Sequence, residues 1–189
     1  MATDTRERMV FSAMQLFRRH GYNGTGFRDV VAHSSTPRGS IYHHFPGGKV
    51  ELGIDALEFA ADFVDDAMAD ALNTHGVVVG FDHFLDWWID FLEEADFEAG
   101  CPVLAVGAET HPEAPDLVAR ADAVFERWQA TLATALRREG VPRGRARDLA
   151  ALALSAVEGA MVLSRTSADR LPLLRVGREL RRALAAAVA

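Results

Sequence analysis

Apolar residues recur along most of this chain at the spacing of helices. Val10, Ala13, Met14 and Phe17 stand at i, i+3, i+4 and i+7, which predicts a first helix from Thr5 to His20. Gly21 ends it, with Arg18 and Arg19 in the last turn where cations suit the carbonyl end. Phe27, Val30 and Val31 then mark a helix of about two turns, with Thr25 as its cap. After the polar break His33-Ser34-Ser35, Thr36-Pro37 starts a third helix, because proline pre-sets the first helical position and has no N–H to lose there. It runs to about His44, with Ile41 and Phe45 on one side and Thr36, Gly39, Ser40 and His43 on the other, and Pro46 stops it.

A long helix follows from Lys49 to about Thr74, with Leu52, Ala56, Phe59, Ala60, Phe63 and Ala67 on one face and Glu51, Asp55, Glu58, Asp62 and Asp65 on another. At 1.5 Å per residue it spans about 39 Å. Gly76 to Gly80 reads as a break, and beyond it Phe81, Phe84, Leu85, Trp88 and Leu92 form a second apolar face, with Trp87 and Phe91 adjacent. Thr110 to Asp116 reads as a loop. A helix over about Asp116–Glu139 carries Leu117, Ala121, Val124, Phe125, Trp128, Leu132 and Leu136. The helix from Arg143 to about Thr166 is apolar nearly all round between Leu149 and Leu163, so it needs cover on both sides, some of it from beyond its own chain. After Pro172, a last helix sets Leu173, Gly177, Leu180 and Leu184 inward and Arg175, Arg178 and Arg182 outward. The pattern predicts an all-α chain in two parts, residues 1–48 and 49–189.

Charge changes the picture. The net charge of −7 hides a segregation: residues 1–50 carry seven Lys and Arg against three Asp and Glu, residues 51–126 one Arg against nineteen acids, and residues 127–189 twelve Arg against five acids. A basic N-terminal module beside an acidic stretch restricts where a polyanion can dock. The longest apolar run, from Leu149 to Leu163, is short for a membrane span, and no signal-peptide pattern opens the chain, so the expected location is the cytoplasm without membrane contact. Cys101 is the only cysteine, which rules out an intrachain disulfide. It precedes Pro102 at a helix start, where a thiol can sense redox state or serve as a small buried hydrophobe.

The outer face of the third helix, small and polar, suits a major groove. Ser40 and Thr36 can meet either base type, and Arg38 can reach guanine or phosphate. Gly47-Gly48-Lys49 opens the next helix with free amides and a cation, an arrangement for phosphate. Leu16-Phe17-X-X-His20-Gly21-Tyr22, a Thr opening the second helix, and Arg38-Gly39-Ser40-Ile41-Tyr42-His43-His44-Phe45 together resemble the DNA-binding domain of TetR-type transcriptional regulators over roughly residues 5 to 52. Phe45-Pro46-Gly47-Gly48-Lys49 and Gly100-Cys101-Pro102 resemble the YxaF/LmrA-like branch. One departure stands out: Ser35 occupies a turn position where family members commonly have Gly, so a left-handed backbone there would be strained.

The resemblance implies an N-terminal three-helix helix-turn-helix domain and a C-terminal helical domain for ligand binding and dimerisation. Its DNA-binding residues are expected at Thr25, Arg28, Thr36, Pro37, Arg38, Gly39, Ser40, Tyr42, His43, His44 and Lys49. An effector pocket is expected at Phe63, Phe84, Trp87, Trp88, Phe91, Cys101, Leu104, Glu109, Phe125, Trp128, Glu158 and Met161, with His111 beside Glu109. A dimer interface is expected at Leu152, Ala153, Ala156, Gly159, Ala160, Leu163, Leu173, Leu180 and Leu184. The function implied is a repressor, bound as a homodimer to pseudo-palindromic double-stranded operator DNA and released by a small apolar or aromatic effector. No cofactor or metal is expected: His43 and His44 diverge by about 100° on a helix and cannot chelate one ion, and no ligand spacing or catalytic motif appears. The alternatives are an all-helical protein-interaction module and a small-molecule enzyme with Glu109, His111 and Glu158 as its only titratable candidates.

Overall fold

The computed structural model describes residues 5–109 and 114–189, and over these it holds helices and turns with no strand. His111 lies outside the described residues. The helices in order are α1 (Thr5–His20), α2 (Phe27–Ser34), α3 (Ser40–His44), α4 (Gly48–Glu93), α5 (Pro102–Gly107), α6 (Pro115–Arg138), α7 (Arg143–Ser167) and α8 (Leu171–Val188). They form two compact units, one of residues 1–62 and 101–124, the other of residues 63–100 and 125–189.

In the first unit, α1 packs against α2, α3 and α5. Its predicted apolar face is the core: Met9, Ala13 and Phe17 are buried with Ile41, Phe45, Leu52, Val103 and Leu117. The cap of α2 is Gly26 rather than Thr25. Asp29 Oδ2 accepts the Gly26 amide at 2.7 Å, while the Thr25 hydroxyl turns back to donate to the Gly21 carbonyl at 2.9 Å. The third helix is also shorter than the Thr36-Pro37 signal predicts. Ser40 N bonds to Pro37 O at 3.0 Å, so residues 37–39 make a turn and regular helix begins at Ser40.

In the second unit, Phe81, Phe84, Leu85, Trp88, Leu92, Trp128, Leu132 and Leu136 form the core with Leu149, Met161, Leu173, Leu180 and Leu184. The predicted break shrinks to one residue. Gly76 has φ 74° and ψ 177°, a conformation open to glycine, and helix resumes directly at Val77, whose amide donates to Glu139 Oε1 at 2.6 Å. Helices α7 and α8 pack on each other. A Cβ on Gly177 would stand 2.1 Å from Leu85 Cδ2, so glycine lets α8 approach the second half of α4 closely. By length and mean hydropathy (1.3) α7 alone among the described helices could cross a membrane, contrary to the short-run reading, and 44% of that window is buried inside the protein.

Candidate functional site

Two sites take shape, one in each unit. In the first, α2 and α3 flank an open groove of about 660 Å3 lined by Phe27, Arg28, Val31, Ala32, Ser35, Thr36, Arg38, Ile41 and Tyr42. Arg28, Pro37, Arg38, Gly39, Tyr42 and His43 are exposed and Ser40 and His44 half-exposed, so eight of the expected DNA-binding residues share one accessible surface. Tyr42 is 67% exposed and rests edge-on against the Phe27 ring at 5.5 Å. His43 and His44 lie with ring centroids 5.5 Å apart at 65°.

Three expected members do not reach that surface. Thr25 is buried by its bond to Gly21. Thr36 is buried because its hydroxyl pairs with Ser34 Oγ at 2.8 Å, bracing the turn from inside. Lys49 is turned inward, its Nζ 2.6 Å from the Tyr22 carbonyl and 4.1 Å from the centre of the Tyr22 ring. Burial lowers the Lys49 pKa, opposed by the carboxylates of Glu109 and Asp29, and burial followed by Glu109 raises that of Tyr22. The amides before Lys49 are engaged as well: Gly47 N donates to Glu51 Oε2 at 2.8 Å and Gly48 N to Phe45 O at 3.0 Å.

The turn itself has the strain that its sequence implies. Ser35 sits left-handed at φ 53°, ψ 42°. Arg8 holds it there, donating to the carbonyls of Ser34 and Ser35. Arg6 pairs with Asp55 at 2.5 Å and lies over the Phe45 ring at 4.9 Å, while burial raises the Asp55 pKa against the opposing pull of Arg6. Sequence reasoning missed both arginines as parts of the reading unit. Their signal was their place at the start of α1, with no acidic neighbour on the helix except Glu7.

The second unit holds a small cavity of about 30 Å3 lined by Val64, Met68, Phe81, Phe84, Trp88, Trp128, Leu132, Ala150, Ala153, Leu154, Val157 and Glu158. That volume takes about one water, far below the ~300 Å3 of a ligand pocket. Of the expected pocket residues, Phe84, Trp88, Trp128 and Glu158 are in the wall. Phe125 supports Trp128 edge-on at 5.8 Å. Trp87 is stacked between Phe84 (5.8 Å, 10°) and Phe91 (5.5 Å, 8°), and half-exposed Phe63 leans on it at 5.4 Å. Met161 is buried in the core behind the wall.

Cys101, Leu104 and Glu109 are elsewhere: all three belong to the first unit. Buried Cys101 caps α5, its Sγ accepting from Leu104 N at 3.4 Å. Glu109 accepts the Asn23 amide at 2.7 Å, tying the α1–α2 connection. The chain returns to the first unit after residue 100, which helical periodicity alone does not reveal.

The expected dimer residues divide. Leu152 and Leu163 are 52% and 59% exposed, and with half-buried Ala156 and exposed Gly159 they form a strip at i, i+4, i+7 and i+11 of α7, flanked by Val162. Ala153, Ala160, Leu173, Leu180 and Leu184 are buried within this chain, because the inner faces of α7 and α8 close on their own unit. On α8 the exposed apolar residues are Leu171 and Leu174 instead.

Comparison with known proteins agrees with this architecture. Residues 12–53 match the bacterial regulatory proteins of the tetR family, and residues 77–179 match the C-terminal domain of LmrA/YxaF-like transcriptional regulators. An HTH-type transcriptional regulator of Mycobacterium tuberculosis is 42% identical over 187 residues, covering 96% of this chain and 94% of that protein. The HTH-type transcriptional regulator LmrA of Bacillus subtilis is 31% identical over 92% of this chain and 93% of its own length. A TetR transcriptional regulator from Chloroflexus aurantiacus, 32% identical, superposes with a TM-score of 0.79 over 94% of this chain and 92% of that one. One from Legionella pneumophila, 23% identical, has the same fold at a TM-score of 0.87, covering 96% and 98%.

Proposed function

This chain belongs to the TetR family of bacterial transcriptional regulators, in its LmrA/YxaF-like branch, a DNA-binding regulator and not an enzyme, and we propose that it is a homodimeric repressor released from its operator by a small apolar or aromatic effector. One observation carries the effector reading. Val64 and Met68, in the cavity wall, stand on α4, the helix whose first turns carry Glu51 and Asp55 against Arg6 at the foot of α1. A molecule that enlarges the cavity moves a helix that is also part of the reading unit, and a rigid helix passes the displacement on.

Functionally the chain divides at residue 48: residues 1–48 read DNA, and residues 49–189 bind the effector and dimerise. On the DNA, Arg38 and Ser40 meet base edges, Tyr42 with its neighbours His43 and His44 contacts the backbone, and Arg28 on α2 adds a phosphate contact. Thr36 and Lys49 act from behind, bracing the turn and the α1–α2 connection. The strip Leu152, Ala156, Gly159 and Leu163 is the apolar patch on which a second copy packs, since small residues allow two helices to approach closely. Two reading heads then address half-sites about 34 Å apart. The protein works in the cytoplasm, where the operator is.

Mobility shift of the purified protein on its own upstream intergenic DNA, at two salt concentrations and against nonspecific competitor, tests this reading. Retention should fall steeply with salt and scale with dimer concentration, and aromatic compounds that bind should release the DNA. Binding that ignores both salt and competitor sequence would refute operator recognition.

A further inference from the structure

Trp128 is 2% exposed, and no acceptor among the described residues takes a hydrogen bond from its Nε1. Buried indoles ordinarily find an acceptor, because an unmade bond in a dry environment is unfavourable. Phenylalanine would give the same edge-on contact with Phe125 without an unmet donor. Tryptophan in the wall of the one chamber lined by Phe84, Trp88 and Glu158 therefore has a use that the closed protein does not show.

Resting on the effector-cavity reading above, we infer that the ligand is an uncharged planar aromatic molecule that presents a hydrogen-bond acceptor, such as a ketone or ring nitrogen, to Trp128 Nε1. The charge follows from the wall, which contains no Lys, Arg or His to balance an anion and has Glu158 as its only ionisable member. A cation brings donors, and the indole N–H offers no acceptor to meet them. Planarity follows from the route. The cavity of about 30 Å3 must open before a ring can enter. From its wall, Phe84, Trp87 and Phe91 form a near-parallel stack with half-exposed Phe63 against it. A flat molecule sliding among these rings replaces one stacked contact with another as it enters.

The test compares two naphthalenes, one carrying a ketone, 6-propionyl-2-(dimethylamino)naphthalene, and one without an acceptor, 2-ethylnaphthalene. Both are titrated into the full-length protein and its Trp128→Phe variant, the first by its own emission and the second by competition. The ketone should bind the variant roughly tenfold more weakly, the loss of one buried hydrogen bond. The hydrocarbon should bind both proteins equally. The thermal midpoint of the ligand-free variant should be unchanged or higher, because the substitution removes an unmet donor. Equal weakening of both probes would reduce Trp128 to packing, and equal binding of the ketone to both proteins would remove the hydrogen bond. Either result overturns the inference and leaves the cavity as the effector site. Failure of the wild-type protein to bind either probe would overturn the effector-cavity reading and the inference with it.

Discussion

The reading unit and the cavity unit solve opposite problems. The first puts Arg28, Arg38, Tyr42 and His43 on an open surface and fixes them from behind with polar ties: Arg8 on the turn carbonyls, Thr36 on Ser34, Lys49 on Tyr22, Glu109 on Asn23. The second turns its aromatic groups inward around a space of about 30 Å3. Polar ties have defined lengths and directions, which suits a surface that must match a rigid duplex. Apolar packing has no direction, so rings can repack around a guest. Precision in one unit and adaptability in the other follow from which forces hold each together.

The largest test of that contrast is at the strip on α7. Leu152→Glu with Leu163→Glu should give a folded monomer by sedimentation and lower operator affinity by two orders of magnitude or more, since one head cannot use both half-sites, while probe binding in the cavity persists. Next, Arg38→Ala should weaken operator binding roughly ten- to hundredfold and relax base preference, as a lost base contact of about 1–3 kcal/mol does. Melting temperature and cavity binding should not move. Conversely, Val157→Ile adds one methyl group to the cavity and should raise stability by about 0.5–1 kcal/mol in thermal unfolding. It should weaken effector release and leave effector-free DNA binding intact. A change in unliganded operator affinity would break the separation between the units.

Smaller effects sharpen it. Glu109→Gln should destabilise the protein by about 1 kcal/mol in denaturant unfolding, the worth of a charge-assisted bond to a backbone amide. It should not change ligand affinity, which it would do if Glu109 faced the cavity. Ser35→Gly should stabilise by about 0.5–1 kcal/mol, because glycine occupies the left-handed region without a Cβ clash. Operator affinity should hold, since Arg8 holds the turn through backbone carbonyls alone.

How much of this was legible varies with the physics. The core of α1, with Val10, Ala13, Met14 and Phe17 all buried, followed from periodicity, because one helix face has one fate. Ser35 was legible as a strained position before any coordinates. The start of α3 was not, since Pro37 favours a turn as well as a first helical residue, and the Ser40–Pro37 bond decides between them. Nor were the inward turns of Thr36 and Lys49, which depend on partners in space rather than on spacing. On α8 the pattern identified Leu173, Leu180 and Leu184 as an apolar face but not what covers it, and their own unit does. Glu109 and Cys101 were assigned to the pocket by position along the chain, whereas the fold carries them back to the first unit.

Gly76 has a consequence for how this chain can change over time. One non-helical residue, with Glu139 taking the Val77 amide, restarts the winding of α4, so the azimuth of the aromatic face 81–92 is not inherited from the face 52–68. In an uninterrupted helix, each inserted or deleted residue would rotate everything downstream by about 100° and turn Phe84 and Trp88 away from the chamber. With the count reset at residue 76, length changes just ahead of it leave the chamber's lining in phase. The lining can therefore be rewritten by substitution while the segment leading to it varies in length.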